Sequence, residues 1–364
     1  MDFGLSQEQE LLQQTIRRYI EESLPTPRVR EIMQSDSGHD AGVYGELAEL
    51  GVLGVLVPEA LGGSGLGLLD AALAAQILGW GAAPVPFLGA TMAVVALRSG
   101  GTPEQSREWL PRIASGASPF GVAATETYDA RDDAGVRVDG GRLSGNSLVV
   151  LEAGAADFFL VAVGSDSIAI VPRTASGLTV EAMKTVDLTR RIGELKLEGV
   201  EPADWIGGPG RAGKAVTSML DAGRALLAAD TLGSCDRALQ LTVEYAGERR
   251  QFGRVIGSFQ AVKHLCAEMV AQLEPARSLV WYAAYALDEL PDEGPKAVAL
   301  AKSHLSEVGT FVLRTATEVH GGIGFTEECD LNLWYKRVEL NRQLLGGPAL
   351  LRERAASLQG WESV

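Results

Sequence analysis

Cysteine is scarce in this chain of 364 residues, which contains three. Cys235, Cys266 and Cys329 are far apart and odd in number, so neither a disulfide framework nor a metal-site spacing is indicated. Free cysteines persist best in a reducing compartment. The start of the chain also lacks the basic and apolar regions of a signal peptide. We therefore expect a cytoplasmic protein without a resident metal ion.

Positive charge is also in short supply. The chain has 32 lysine and arginine residues against 47 aspartate and glutamate residues, and its formal net charge is −15. A nucleic-acid surface requires a basic face, so we expect no nucleic-acid partner. An anionic cofactor remains compatible with this balance, because a few arginines can set the field at one site.

A long uninterrupted apolar run is missing as well. Residues 71–97 carry no charge, but Pro84, Pro86 and several glycines interrupt them. Such a segment is too broken to form a transmembrane helix. We predict two buried helices joined by a bend, and no membrane partner.

The spacing of apolar residues changes twice along the chain. Helical spacing comes first, at 5–34, 41–53, 68–82 and 103–114. Signals for β-strands then dominate from about 119 to 205, where Gly140 and Gly141 mark a hairpin turn. Long helices are predicted afterwards, at 211–247, 257–288, 292–320 and 328–341. Strands followed by runs of helices indicate segregated layers and not alternating βαβ units.

Two segments in the last third of the chain carry the clearest chemical signal. Residues 249–260 read RRQFGRVIGSFQ, and residues 320–326 read HGGIGFT. Each follows a predicted helix and mixes glycine with charged, amide or aromatic groups. Glycines let backbone N–H groups come close to a ligand, arginine pairs with phosphate oxygens, and phenylalanine stacks on rings. The combination suits an anionic, aromatic ligand.

Together these segments resemble the flavin-binding signature of the acyl-CoA dehydrogenase superfamily, in its short bacterial form. Three further stretches, at 54–66, 143–157 and 187–191, are similar to other family motifs and occur in the family's order. The resemblance implies an α+β, mainly α fold. Its parts would be an N-terminal helical domain (1–118), a central β-domain (119–206) and a C-terminal four-helix bundle (207–364).

The same resemblance implies a function. It predicts FAD-dependent α,β-dehydrogenation of an acyl-CoA thioester to 2-enoyl-CoA, with electrons passed to an electron-transfer flavoprotein. FAD would lie between the β-domain and the bundle, and a second subunit would complete the site. The expected assembly is a homodimer or tetramer, or a heterotetramer with a related chain.

By resemblance, the family's residues that contact the cofactor and the acyl-CoA have counterparts here. The pyrophosphate and adenosine half of FAD would be contacted by Arg249, Gln251 and Phe252. The same half would be approached by Gln260, Glu318, His320, Gly321, Gly322 and Gly324. Ala124 and Thr125 match the strand that faces the flavin ring, and Asp221 and Arg224 lie where the acyl-CoA enters. One departure matters: Glu318 stands where the family usually has glutamine, and a carboxylate there repels phosphate.

The catalytic base departs from the family more seriously. Proton removal from the α-carbon requires an ionised, partly desolvated carboxylate. At the two family positions for this group the chain has Leu345 and Gly223. Asp230 is the best substitute, because it lies seven residues after Gly223 on about the same helix face, roughly 10 Å along the axis. The alternative for Asp230 is a structural polar group in an interface or a helix cap. Asp221 and Arg224 have their own alternative, a simple surface pair.

Two other functions remain open. The chain could be the catalytically silent partner of a heteromeric dehydrogenase, which completes the FAD site while another chain supplies the base. A serine esterase is the second alternative, since His320 and the two following glycines resemble an oxyanion loop. That reading needs a serine elbow, and the nearest match at 62–66 fails because Leu66 replaces the last glycine. A dinucleotide-binding glycine motif beginning at Gly63 fails in turn at Leu68.

Overall fold

The computed structural model describes residues 4–129, 131 and 133–361. The helices in this part of the chain are α1 (Gln7–Ser23), α2 (Thr26–Gln34), α3 (Ala41–Glu49), α4 (Leu68–Trp80), α5 (Phe87–Gly100), α6 (Pro103–Ala114), α7 (Gly213–Glu248), α8 (Gln260–Glu289), α9 (Gly294–His320), α10 (Leu331–Gln343) and α11 (Pro348–Ser357). The strands are β1 (Phe120–Ala123), β2 (Gly135–Asp139), β3 (Arg142–Val150), β4 (Phe158–Val163), β5 (Ser167–Pro172), β6 (Leu178–Ala182), β7 (Gly193–Val200), β8 (Asp204–Trp205), β9 (Arg250–Gln251) and β10 (Arg254–Val255). This order of helices, strands and helices confirms the α+β, mainly α prediction.

The chain divides into two compact units. The bundle unit comprises Met1–Pro27, Ala72–Ala83 and Ala225–Val364, and the β-sandwich unit comprises Arg28–Ala71 and Pro84–Arg224. The division falls within α7, so each unit is assembled from separate stretches of sequence. The three domain boundaries predicted from the sequence stay a prediction.

Most predicted helices are present, with two differences. The single helical pattern at 5–34 forms two helices, and the break between them falls at Leu24 and Pro25, where proline has no N–H to continue the ladder. Helix α11 was not predicted, because Gly346, Gly347 and Pro348 indicated an end. In the structure Pro348 is the first residue of a new helix, a position that tolerates its missing donor.

The uncharged stretch at 71–97 contains parts of α4 and α5, with Pro84 and Pro86 between them. The two buried helices and the interruption between them were therefore predicted correctly. No helix in the described ranges combines the length and apolar character needed to cross a bilayer.

The β-sandwich unit contains two four-stranded sheets. One has the strand order β1-β4-β5-β8, with β1 parallel to β4, and the other is antiparallel in the order β2-β3-β7-β6. Gly140 and Gly141 form the predicted hairpin turn between β2 and β3, with φ angles of +57° and +82°. Positive φ at both positions gives the turn the twist that the strands require. Buried residues of both sheets share one core, including Phe159, Val161 and Leu195.

In the bundle unit, α4 and α7 pack with their backbones very close together. A Cβ built on Gly233 would lie 1.7 Å from the Gln76 carbonyl oxygen, and one built on Gly79 would lie 2.1 Å from the Asp230 carbonyl oxygen. The two glycines are therefore what allows this crossing. The last backbone carbonyl groups of α4 are buried and need hydrogen-bond donors from outside the helix. Trp334 provides one, because its Nε1–H donates to the Gly79 carbonyl at 3.2 Å and to the Trp80 carbonyl at 3.0 Å.

We predict that Gly233→Ala destabilises the protein by about 3 kcal/mol, because the added methyl group overpacks a backbone contact. The free energy of unfolding from urea titration measures the effect. Gly247→Ala is the matched control on the same helix, since a Cβ there meets nothing within 4 Å. It should stabilise the helix by up to about 1 kcal/mol. Equal effects of the two substitutions would contradict this packing.

Candidate cofactor and catalytic site

The ends of α7 and α9 meet in the bundle unit. The Tyr245 ring, in the last turn of α7, stacks on the His320 ring with centroids 4.5 Å apart and an interplanar angle of 19°. His320 Nδ1 lies 2.8 Å from the Ala316 carbonyl oxygen. A carbonyl can only accept, so Nδ1 carries the hydrogen. Because the Tyr245 and His320 rings stack, segments 249–260 and 320–326 begin at neighbouring helix ends, although about seventy residues of sequence separate them.

The segment after α7 is a tight hairpin. Strands β9 and β10 pair antiparallel, and Phe252 and Gly253 form the turn with φ angles of +52° and +78°. A left-handed backbone is costly for a phenylalanine, and its ring is 91% exposed. The Arg249 side chain is exposed and has no hydrogen-bond or ion-pair partner among the described residues. An unpaired guanidinium and an exposed ring are what a phosphate-bearing aromatic ligand would use.

Two amide side chains of this segment were also predicted to contact a ligand. Gln251 is exposed and its Nε2 donates to the Arg250 carbonyl at 2.9 Å, while Gln260 is the exposed first residue of α8. Their predicted roles in cofactor binding stay predictions.

The glycine segment after α9 forms one wall of a cavity of about 1090 Å³. Residues that contribute to its lining are Arg314, Glu318, Gly321, Gly322, Phe325 and Tyr335. Gly321 has φ +66°, which favours glycine. Gly324 is required for a close approach, because a Cβ there would lie 2.9 Å from the Thr317 carbonyl oxygen. The structure thus places four predicted residues, Glu318 and three glycines, at one cavity within the bundle unit.

Two predicted residues of the β-sandwich unit, Ala124 and Thr125, lie at a short turn after β1. The Thr127 hydroxyl donates to the Ala124 carbonyl at 2.7 Å, and the Tyr128 hydroxyl donates to the Thr125 hydroxyl at 3.4 Å. The Glu126 carboxylate ties this turn to β3, where it accepts from the Ser147 hydroxyl at 2.7 Å. The turn is therefore held rigidly by its own side chains.

Asp221 and Arg224 form a buried ion pair and not a surface one. Arg224 Nη1 lies 2.7 Å from Asp221 Oδ1, and both side chains are 2% exposed. The Arg224 guanidinium also lies 5.6 Å from the centre of the Tyr128 ring. The surface-pair alternative is wrong because both side chains are buried. Its predicted place beside the substrate stays a prediction.

Asp230 is held on both carboxylate oxygens. Arg337 donates from Nε to Oδ1 at 2.9 Å and from Nη2 to Oδ2 at 2.7 Å, and Asn341 Nδ2 donates to Oδ1 at 2.7 Å. Both charged side chains are nearly fully buried. Arg337 Nη1 also donates to the Ala83 carbonyl at 3.2 Å, just beyond α4. These contacts favour the structural alternative for Asp230, and its catalytic role stays a prediction.

Arg337 and Asn341 were not identified from the sequence. Their four-residue spacing on α10 puts both on one helix face. An arginine among buried helix positions was a signal that a buried acid must exist elsewhere. The two family positions for a base carry no acid: Leu345 is buried with φ +58°, and Gly223 lies within α7.

The structure gives no support to the esterase alternative. Residues 62–66 fold back on the preceding turn, with the Gly65 N–H donating to Val57 and the Leu66 N–H to Val55. A nucleophile elbow would instead stand between a strand and a helix.

The three cysteines are free thiols, and burial raises the pKa of Cys235. Among the described residues, no group of three or more His, Cys, Asp or Glu could hold a metal ion.

Comparison with known families gives two matches. Residues 6–117 match the family described as acyl-CoA dehydrogenase, N-terminal domain, and residues 212–357 match acyl-CoA dehydrogenase, C-terminal domain. Among characterised relatives, the acyl-CoA dehydrogenase IpdE2 of Mycobacterium tuberculosis is 32% identical over 358 residues, which is 98% of each chain.

Solved structures give the same result. A variant of the Tcur3481-Tcur3483 steroid ACAD has a TM-score of 0.88 and 33% identity, over 97% of this chain and 98% of that one. The ChsE4-ChsE5 complex from Mycobacterium tuberculosis has a TM-score of 0.90 and 27% identity over the full length of both chains.

We predict that Asp230→Asn lowers the free energy of unfolding by about 3 kcal/mol or more, because Arg337 is left as a buried charge without its counter-charge. Chemical denaturation measures the change. Glu181→Gln is the control, since its ion pair with Lys196 is half exposed and should leave the unfolding midpoint nearly unchanged. Asp230→Asn as stable as the parent would show that the pair does not organise the bundle unit.

Proposed function

The chain belongs to the acyl-CoA dehydrogenase family of oxidoreductases, and on that basis we propose that it acts in the FAD-dependent oxidation of an acyl-CoA thioester to its 2-enoyl-CoA. We further propose that a second, related chain supplies the catalytic base. Electrons would leave through a flavoprotein acceptor, as the resemblance implies.

The residues present fit FAD. The bundle unit offers the unpaired Arg249 guanidinium, the exposed Phe252 ring and a cavity bordered by Gly321 and Gly322, where an added Cβ would meet nothing within 4 Å. When bound, FAD supplies the acceptor for the hydride that leaves the β-carbon of the substrate. Arg249 would hold phosphate oxygens and Phe252 would pack on a ring of the cofactor.

The β-sandwich unit contains its own predicted residues, Ala124 and Thr125. The short turn at Ala124 and Thr125 is locked by its own hydrogen bonds and by Glu126. A rigid turn can present backbone groups to a flavin ring without losing conformational entropy on binding. The buried pair of Asp221 and Arg224 would position the turn through the Tyr128 ring, which Arg224 contacts.

One observation carries the proposal of a separate base. The substitute base predicted from the sequence, Asp230, has both oxygens occupied by Arg337 and Asn341. A general base must be able to reach the proton that it removes. A carboxylate held by a guanidinium on both oxygens is poorly placed to do so. With leucine at 345 and glycine at 223, a heteromeric assembly supplies the missing group most simply. The ChsE4-ChsE5 relative, which is a complex of two named chains, supports such an assembly.

The test compares the chain alone with the chain co-purified with a related acyl-CoA dehydrogenase chain that has glutamate at a family base position. Visible spectra are recorded without oxygen after addition of linear, branched and steroid-derived CoA thioesters. We expect the flavin absorption to bleach in the mixed assembly and to persist with the chain alone. The panel also identifies the acyl group, because the thioester that bleaches fastest is the preferred class.

Arg249→Gln in the mixed assembly is the control for cofactor binding. It should lower the FAD content by roughly tenfold or more, because a charge-assisted contact to phosphate is lost, while the two chains still co-purify. Bleaching by the isolated chain would overturn the proposal that a second chain supplies the base. A chain that binds no FAD in either form would overturn the enzymatic function itself.

A further inference from the structure

Two arginines of the bundle unit contact the same tryptophan ring. The guanidinium carbon of Arg17, on α1, lies 4.3 Å from the centre of the Trp80 ring, and that of Arg237, on α7, lies 4.9 Å from it. The two carbons are therefore at most about 9 Å apart, the two distances taken together. Trp80 ends α4 and is 7% exposed, and Arg237 also lies 5.8 Å from the centre of the Trp334 ring. Buried rings thus hold two positive charges near each other.

The N–H groups of both arginines are unused. Among the described residues, neither Arg17 nor Arg237 makes a hydrogen bond, and neither has an acidic oxygen within 4.0 Å. Both side chains are half-buried, yet none of their nitrogen atoms belongs to the fully enclosed ones that lack a partner. A guanidinium that stacks on an indole uses its flat face, and its in-plane N–H donors stay available. Two sets of donors therefore reach solvent within a short distance of each other.

Nearby charges act on this pair without neutralising it by contact. Burial lowers the pKa of Arg237, the acids Glu244, Asp330 and Glu21 raise it, and Arg17 lowers it. Glu21 follows Arg17 by four residues on α1, a spacing at which opposite charges usually pair. The Arg17 guanidinium nevertheless lies on the indole ring and makes no ion pair with Glu21. An anion bound between the two arginines would offset their mutual repulsion.

The chemistry of the pair selects a tetrahedral oxyanion. A carboxylate is planar and has two oxygens, which a single guanidinium can occupy as a fork. A phosphate group has at least three free oxygens and up to two negative charges, so two guanidiniums can bind it at once. Charge-assisted N–H···O bonds of about 2.8 Å allow one such group to reach both arginines across a gap of this size.

We propose that Arg17 and Arg237, held by the Trp80 ring, form a binding site for a phosphate-type oxyanion. The ligand is either the free ion or the phosphate group of a small ester. The site uses none of the residues assigned to the cofactor or to the acyl-CoA, and the inference does not depend on the proposed function.

The test is a calorimetric titration of the full chain, in the assembly in which it purifies, with sodium phosphate at constant ionic strength. We expect saturable binding that Arg17→Gln and Arg237→Gln each weaken roughly tenfold, because charge-assisted hydrogen bonds are lost. Arg17→Lys keeps the charge but loses the planar fork, so it should weaken binding by about threefold. Glu21→Gln should tighten binding by about twofold, because a repelling charge is removed.

A second titration, with glycerol 3-phosphate, separates the two sources of the ligand. Binding at least as tight as that of inorganic phosphate assigns the site to an ester, and weaker binding assigns it to the free ion. Either result should show the same loss in Arg17→Gln and Arg237→Gln, because both ligands present the same oxygens to the two arginines.

Arg18→Gln is the matched control, since Arg18 is the exposed neighbour of Arg17 and stacks on no ring in the described part of the chain. It should leave the phosphate affinity unchanged, and thermal melts check that each variant is folded. Arg249→Gln should also leave it unchanged, which separates this site from the proposed cofactor segment. Phosphate binding that does not saturate, that Arg17→Gln and Arg18→Gln weaken equally, or that only Arg249→Gln removes would overturn the inference while the proposed function stands.

Discussion

The buried ion pair between Asp230 and Arg337 is the interaction on which the bundle unit depends. Removing two charges from water costs several kcal/mol each, and the cost is offset only where the geometry satisfies every donor and acceptor. Here two bonds join the charges, Asn341 completes the carboxylate, and Arg337 reaches the Ala83 carbonyl beyond the end of α4. Helices α4, α7 and α10 are thereby fixed in one arrangement. Apolar packing alone would tolerate several registers.

The ion pair between Asp230 and Arg337 has a chemical consequence. A carboxylate that is paired with a buried guanidinium cannot readily accept a proton from a substrate. Stabilising the bundle unit and acting as a base are therefore competing roles for Asp230. The residues proposed to bind the cofactor lie at the helix ends, where the Tyr245 and His320 rings stack and Arg249 has no partner among the described residues. Under the proposed function, cofactor binding and proton removal would be divided between two chains without loss of the fold.

Local sequence patterns predicted the structural features that depend on residues close together in the chain. The Gly140 and Gly141 hairpin and the long helices follow from residues close together in sequence. Helix α11 was missed because a glycine-proline break indicates an end as well as a start. The partners of Asp230 were beyond reach for a different reason: Arg337 lies 107 positions away. No periodicity reports which buried charge meets which, and only the packing of α7 on α10 decides it.

A net charge of −15 is compatible with an anionic cofactor, because most acidic side chains are far from any one site, whereas a binding arginine is in contact with its ligand. Charges further away than about 8 Å are largely screened at physiological ionic strength, whereas a contact at about 4 Å is not. Most of the acidic surface would therefore have little effect on a bound phosphate. A single arginine at contact distance, as proposed for Arg249, would dominate the field there.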